Sequence, residues 1–250
     1  MRKMLFVAVL ASTALASPAL ARDDSWYVEA DGGATFIQDM TLRLNGTVTG
    51  TTSPYAQGDP VIIASAKTGF DFGGIVGYDF GPFRLEAEAS YRRAGLDDLR
   101  VPSSTSLLVT GSTFSGRVST LAMMLNGLID IGPDDGLQGF IGGGVGYAHS
   151  KLRFDYASAP QGTDVTIAMD DGDSGFAWQL LAGARMPLSE HVDLGLKYRF
   201  ANHPDVDVLM NETVSGEGTI NITAPLRTRV RSHSALLTLA YNFGGAVMLI

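Results

Sequence analysis

The chain has 250 residues, a formal net charge of −8 at pH 7, 30 glycines and no cysteine. Its acidity argues against nucleic-acid binding, which needs a basic patch, and its lack of cysteine excludes a disulfide-stapled scaffold. Beyond the N-terminal segment no stretch offers about 18 unbroken apolar residues, so no transmembrane helix is expected.

The N-terminus comes first. Arg2 and Lys3 precede a mostly apolar run, Met4 to Leu15, and Ala19-Leu20-Ala21 supplies small residues at a cleavage point. This pattern reads as a cleavable secretory signal over residues 1–21. Cleavage leaves 229 residues from Arg22 and moves the formal charge to −10. That length suits one domain, placed at 22–243, with a short tail at 244–250.

What recurs from Arg22 onward is a segment of roughly ten residues, alternating or simply small and apolar, bounded by turn chemistry. Eight such segments fall at 25–36, 68–80, 83–94, 117–131, 137–151, 174–186, 191–201 and 229–243. The third is the clearest: Phe83, Leu85, Ala87, Ala89 and Tyr91 alternate with Arg84, Glu86, Glu88 and Arg92. Period two specifies a strand with unlike faces, but parity alone does not say which face meets water.

The connections and the aromatics decide. Gly81-Pro82, "GPDDG" and "PLSE" are tight-turn sequences, whereas 37–67, 95–116, 152–173 and 202–228 are long and polar. Long and short connections alternate strictly, as in an outer-membrane barrel with periplasmic turns and extracellular loops. With a periplasmic N-terminus, Trp26, Tyr78, Phe80, Phe83, Tyr241 and Phe243 fall at one rim. Phe36, Phe70, Phe72, Tyr91, Tyr147, Phe176, Trp178, Tyr198 and Phe200 gather toward the other, with aliphatic residues between. Two aromatic bands flanking an aliphatic zone belong to membrane interfaces. The predicted fold is therefore all-β: an eight-stranded antiparallel up-and-down transmembrane β-barrel whose apolar face meets lipid.

The opposite face then lines the lumen. It carries Glu29, Asp31, Asp71, Asp79, Arg84, Glu86, Glu88, Arg92, Gln179, Arg185, Asp193, Lys197 and Arg199. Eight strands leave room for side chains or one small ligand, so these charges should pair. The network is either a structural plug or a gate in which pairs such as Arg84 and Glu86 exchange partners. Gly142-Gly143-Gly144 reads as packing relief or a bend, since no helix or Lys-Ser/Thr follows it.

The segments "SWYVEADGGATF", "GGIVGYDFGPFRLEAEASYRRA", "MLNGLIDIGPDDGLQGFIGGGVGYA", "GFAWQLLAGARMPLSEHVDLGLKYRF" and "RSHSALLTLAYNFG" resemble the N-terminal transmembrane domain of outer membrane protein A. The likeness runs to the alphaproteobacterial, surface-antigen porin-like branch of that family. It implies insertion by the barrel-assembly machinery, which reads a terminal aromatic strand, here Tyr241 and Phe243. It also implies contact with outer-membrane lipid and lipopolysaccharide. Many relatives continue into a peptidoglycan-gripping domain; this chain stops seven residues after Phe243, so peptidoglycan binding is not expected. The apolar ending "GGAVMLI" fits a naturally short protein or one that has lost its linker.

Other chemistry is thin. His149-Ser150 and His233-Ser234 suggest a hydrolase, yet neighbours on a strand face opposite ways and cannot pair with each other. "DDGDSG" (170–175) lacks the spacing of an EF-type calcium loop. Asn45, Asn211 and Asn221 begin short glycosylation-like matches that chance produces often. No enzyme activity, cofactor or metal is expected. The expected role is structural, supporting the envelope and displaying surface loops; the alternatives are a narrow porin and a loop-mediated adhesin.

Overall fold

The alternation closes on itself. The computed structural model describes residues 24–50, 56–100, 113–133, 135–159, 163–216 and 218–244. The signal segment and the tail past Gly244 lie outside the described residues. The strands are β1 (Ser25–Ile37), β2 (Met40–Leu44), β3 (Pro60–Ala66), β4 (Gly69–Asp79), β5 (Phe83–Arg100), β6 (Thr113–Ile131), β7 (Gln138–Ser158), β8 (Asp164–Pro187), β9 (Val192–Ser215) and β10 (Thr219–Asn242). β1, β4 and then β5 to β10 pair antiparallel in that order, and β10 returns to β1 from Tyr27↔Asn242 to Ile37↔Ser232. The result is the expected ring of eight strands. β2 and β3 form a hairpin that prolongs β1 and β4 and fills the wall between β10 and β5.

One end is held by tight turns. Phe80 N donates to Phe83 O at 2.9 Å, and Gly81, at φ +90°, occupies a backbone region that L side chains avoid. Asp79 Oδ1 accepts Gly81 N at 2.8 Å, fixing the same turn.

The opposite end differs from the sequence expectation. The segments 152–173 and 202–228 are not mainly loop, because the outer parts of β7 to β10 occupy most of them, and β2 and β3 take up part of 37–67. β8, β9 and β10 each have 24 residues. At about 3.3 Å per residue and a tilt near 40°, such strands rise roughly 60 Å, more than twice the apolar band of a bilayer.

This extra height is built inside out relative to the membrane part. On β10, Leu237, Leu239 and Tyr241 point outward, whereas farther up Ala224, Leu226 and Val230 are buried and Arg227 and Arg229 are exposed. On β9, polar Asp193, Lys197 and Arg199 are inside below; above, the inside belongs to Val206, Val208 and Met210. A bulge opposite Thr228 and Val230, where the ladder jumps from Val206 to His203, makes this change of parity. The outer lumen is consequently filled by an apolar stopper that includes Leu42, Leu96, Leu152, Phe154, Met169 and Leu226.

The aromatic bands stand where expected. Trp26, Tyr78, Phe80 and Phe83 form a chain of ring contacts at 4.6–5.3 Å on the tight-turn rim. Phe70, Phe72 and Tyr91 cluster at 5.6–6.2 Å on the other. Glycine makes room for bulky lumen groups at two positions. A Cβ on Gly77 would sit 2.3 Å from the Tyr27 ring, and one on Gly144 would sit 2.0 Å from Asn126 Oδ1.

These faces predict a contrast between two outward leucines. Leu125→Arg, in the lipid band, should cost about 2–4 kcal/mol in urea unfolding from lipid vesicles. Leu209→Arg, outward on the extension, should cost no more than about 0.5 kcal/mol. Equal costs would contradict the placement of the membrane boundary.

Candidate functional site

Alternation carries the lumen charges inward from every wall of the ring, and the ladder register sets which of them meet. The first layer lies near the tight turns. Arg84 grips Asp130 with two bonds, Nε to Oδ2 and Nη2 to Oδ1, both 2.9 Å. Its Nη1 is 3.5 Å from Glu86 Oε1, which also accepts Tyr27 OH at 2.6 Å. The guanidinium of Arg84 further stacks 4.9 Å from the Phe140 ring centre. Arg185 donates to Asp79 at 2.8 Å, to Gln138 at 2.7 Å and to Asp130 at 3.2 Å.

The second layer centres on Arg199. Its Nη1 meets both Asp71 oxygens at 2.9 Å, and its Nη2 donates to Asp31 at 2.8 Å. Glu88 Oε1 lies 2.9 Å from the same Nη2 as an ion pair off the hydrogen-bonding direction. Lys197 binds Glu29 and reaches Asp31 at 3.3 Å. Amides complete the layer: Asn126 donates to Glu88 at 2.9 Å and to Glu86 at 3.2 Å, while Gln179 donates to Glu88 at 2.8 Å.

Every lumen charge expected from the sequence is buried, and all but one are bonded within these layers. The exception is Arg92, 4% exposed, whose Nη1 finds no partner among the described residues although Asp71 stands opposite it in register. The expected Arg84–Glu86 pair exists, but Asp130 is the stronger partner of Arg84. Tyr27, Asn126, Asp130, Gln138 and Asn242 complete the network and escaped the sequence reading. Parity could have found them, since each shares its strand face with an identified charge or with the lumen side. The eight acids Glu29, Asp31, Asp71, Asp79, Glu86, Glu88, Asp130 and Asp193 outnumber the cations Arg84, Arg92, Arg185, Lys197 and Arg199 by three. Neutral donors absorb the excess: Tyr27, Asn126, Gln179, and Asn242 on Asp193 at 3.0 Å.

Histidines and serines meet across strands rather than along them. His149 Nδ1 lies 2.7 Å from Ser174 Oγ on the outer wall, and His203 Nδ1 lies 2.9 Å from Ser150 Oγ inside. A nucleophilic pair needs an acid on the second ring nitrogen. Among the described residues neither histidine has one, and His203 Nε2 is without a partner. The acids of 170–175 serve the wall instead. Asp170 pairs with Lys151 and Arg153, while Asp171 and Asp173 accept the backbone N–H of Leu209 and Asp207 where the β8–β9 ladder is interrupted.

At the closing strand Tyr241 and Phe243 face outward and touch at 5.4 Å, and Phe243 N donates to Trp26 O at 3.0 Å. The last aromatic residue thus sits at the seam between the first and last strands.

The model of the outer membrane protein beta-barrel domain matches residues 7–243. Outer membrane protein PagN of Salmonella typhimurium strain LT2 is 25% identical over 184 residues, covering 69% of this chain and 73% of PagN. Among solved structures, Neisserial surface protein A aligns with TM-score 0.45 and 15% identity, over 87% of this chain and 97% of its own. The outer membrane protease OmpT of Escherichia coli aligns with TM-score 0.50 at 7% identity, over 89% and 98%. At that identity the likeness concerns architecture alone.

The shared guanidinium makes Arg199 the sensitive point of the lumen. Arg199→Met leaves Asp71 without its partner and should lower stability by about 3–5 kcal/mol in urea unfolding from vesicles. Combining it with Asp71→Asn should cost less than the sum, with a coupling above about 1 kcal/mol. Strict additivity would show that the pair is not an energetic unit.

Proposed function

The chain belongs to the outer membrane protein beta-barrel domain family and resides in the bacterial outer membrane, and on that premise we propose that it is a non-conducting, non-enzymatic structural barrel. Its work is mechanical. The closed ladder anchors it in the envelope, the paired lumen charges stiffen it, and the extension holds its outer turns clear of the lipid surface. Outer-membrane lipid and lipopolysaccharide are its surroundings, and the barrel-assembly machinery is its insertion partner.

The observation that carries this reading is the apolar stopper. A pore must offer ions a polar, hydrated path, and the cluster around Leu42, Leu152, Phe154 and Leu226 replaces such a path with packed hydrocarbon. The ionic layers beneath it are bonded on several sides, so exchange of one partner would leave buried charges exposed to apolar walls. A second reading, surface binding through the outer turns, is favoured by the height of the extension, which carries the described turn residues 45–50, 56–59, 216 and 218 beyond the strand ends.

Planar-bilayer recording tests the leading reading. Wild-type protein and the Arg84→Gln and Glu86→Gln variants should all give no reproducible current steps. Steps in the wild type that change size in either variant would replace the plug with a narrow porin. The assembly role is tested separately: Phe243→Ala should reduce the heat-modifiable, folded form in outer-membrane fractions. An unchanged folded fraction would remove Phe243 from the assembly signal.

A further inference from the structure

The outward-facing cations are distributed unevenly. Among the described residues, every lysine and arginine on the outer wall lies beyond the outer aromatic band, and none lies at the tight-turn end. Arg93 follows Tyr91 by two residues on β5, and Lys151 follows Tyr147 by four on β7. The tight turns instead expose Asp135 and Glu190. Cations just past an aromatic interface stand at the level of lipid headgroups, where phosphates are the available counter-charge.

At this level lies a groove of about 420 Å³ lined by β2, β9 and β10. It exists because β1 leaves β10 at Gln38. The bond from Gln38 N to Arg231 O, 2.9 Å, is the last before the ladder resumes at Arg43↔Arg227. Arg43, Arg227, Arg229 and Arg231 line the opening. Arg227 is occupied by a two-bond contact with Asp207 at 2.7 and 2.8 Å, which also holds the Asp207 carboxyl below the ordinary range. Among the described residues the other three have no carboxylate partner. Arg43 reaches only Gly58 O at 3.1 Å, Arg231 only Asn202 Oδ1 at 3.2 Å, and Arg229 makes no hydrogen bond or ion pair among the described residues. Asp39 and Asp205 line the same groove, so any anion must be selected by guanidinium geometry rather than by bulk charge.

The floor of the groove is continuous with the lipid-facing wall. His233, the next outward residue below Arg231, packs 5.1 Å from the Phe200 ring and stands opposite Phe36 in register. Below it the outward residues are Ala235 and Leu237. A ligand seated here meets cations above and hydrocarbon below, which is the profile of a phosphorylated lipid.

We infer that this groove binds a phosphate of the outer-leaflet glycolipid through Arg43, Arg229 and Arg231, with an acyl chain descending over Phe36, Phe200 and Leu237. The inference rests on the outer-membrane placement alone. A conducting barrel would carry the same site, so failure here and failure of the plug reading are distinguishable.

The test uses folded protein in detergent micelles and native mass spectrometry with diphosphorylated lipid A, its dephosphorylated form, inorganic phosphate and a sulfated oligosaccharide. Wild-type protein should prefer the phosphorylated lipid by at least roughly tenfold, the scale of one charge-assisted contact. Arg229→Gln/Arg231→Gln should lose that preference, and Arg117→Gln, a cation on the opposite wall, should keep it. A heat-modifiable gel shift checks that each variant is folded. Equal binding of dephosphorylated lipid, or equal loss in Arg117→Gln, would overturn the site. Displacement of the lipid by millimolar inorganic phosphate would reassign it to free phosphate. Binding of the sulfated sugar without the lipid would reassign it to a soluble polyanion.

Discussion

A peptide group in hydrocarbon has no water to bond, so each strand inside the membrane must give its N–H and C=O to neighbouring strands. Everything else in this molecule depends on that constraint. It forces β10 back onto β1 over eleven register pairs, from Tyr27↔Asn242 to Ile37↔Ser232. Closure turns each alternating strand into a wall with one face in lipid and one in a lumen barely wide enough for side chains. Charges that alternate with lipid-facing residues then have no solvent, and only other lumen groups can satisfy them.

The two lumen compartments solve this crowding differently. Within the membrane, the chain cannot spend apolar residues on both faces and remain an outer-membrane strand, so the inner face is polar. Multivalent arginines and neutral amides distribute a surplus of carboxylates. Above the membrane the outside meets water, the inside becomes apolar, and the barrel is stabilised as a soluble one would be. Arg92 stands at the junction between the ionic layers and the stopper, with a nitrogen that has no partner among the described residues. His203 occupies the same level, and its Nε2 likewise has no partner among the described residues.

The change of character is made by small departures from the ladder. At Gln38–Asp39 the first strand breaks before β2 continues it, and at Pro204–Asp205 an extra residue shifts β9 by one position. On β9 the apolar residues keep even numbers throughout, Leu194 and Leu196 facing lipid and Val206 and Val208 facing the lumen. On β10 the wall keeps its phase and the apolar positions switch instead, from Leu237 outside to Leu226 inside. The same break at Gln38–Asp39 opens the arginine-lined groove, so the departure that ends the membrane wall also shapes its boundary.

The sequence by itself determined the membrane ring. Strand number, order, the two aromatic bands and the inward direction of Glu29, Arg84, Glu86, Lys197 and Arg199 all follow from period two and from turn spacing, which are local properties. The outer extension was partly visible as the alternation of Val206, Val208 and Met210 with Asp205 and Asp207, but its polar composition resembles that of loops. Tertiary structure alone decided who pairs with whom. That Arg84 chooses Asp130, that Arg199 joins Asp31, Asp71 and Glu88, and that serines meet histidines only across strands depend on register and closure between distant segments. Alternation specifies a direction for each side chain; only the closed ring brings two such directions to one point.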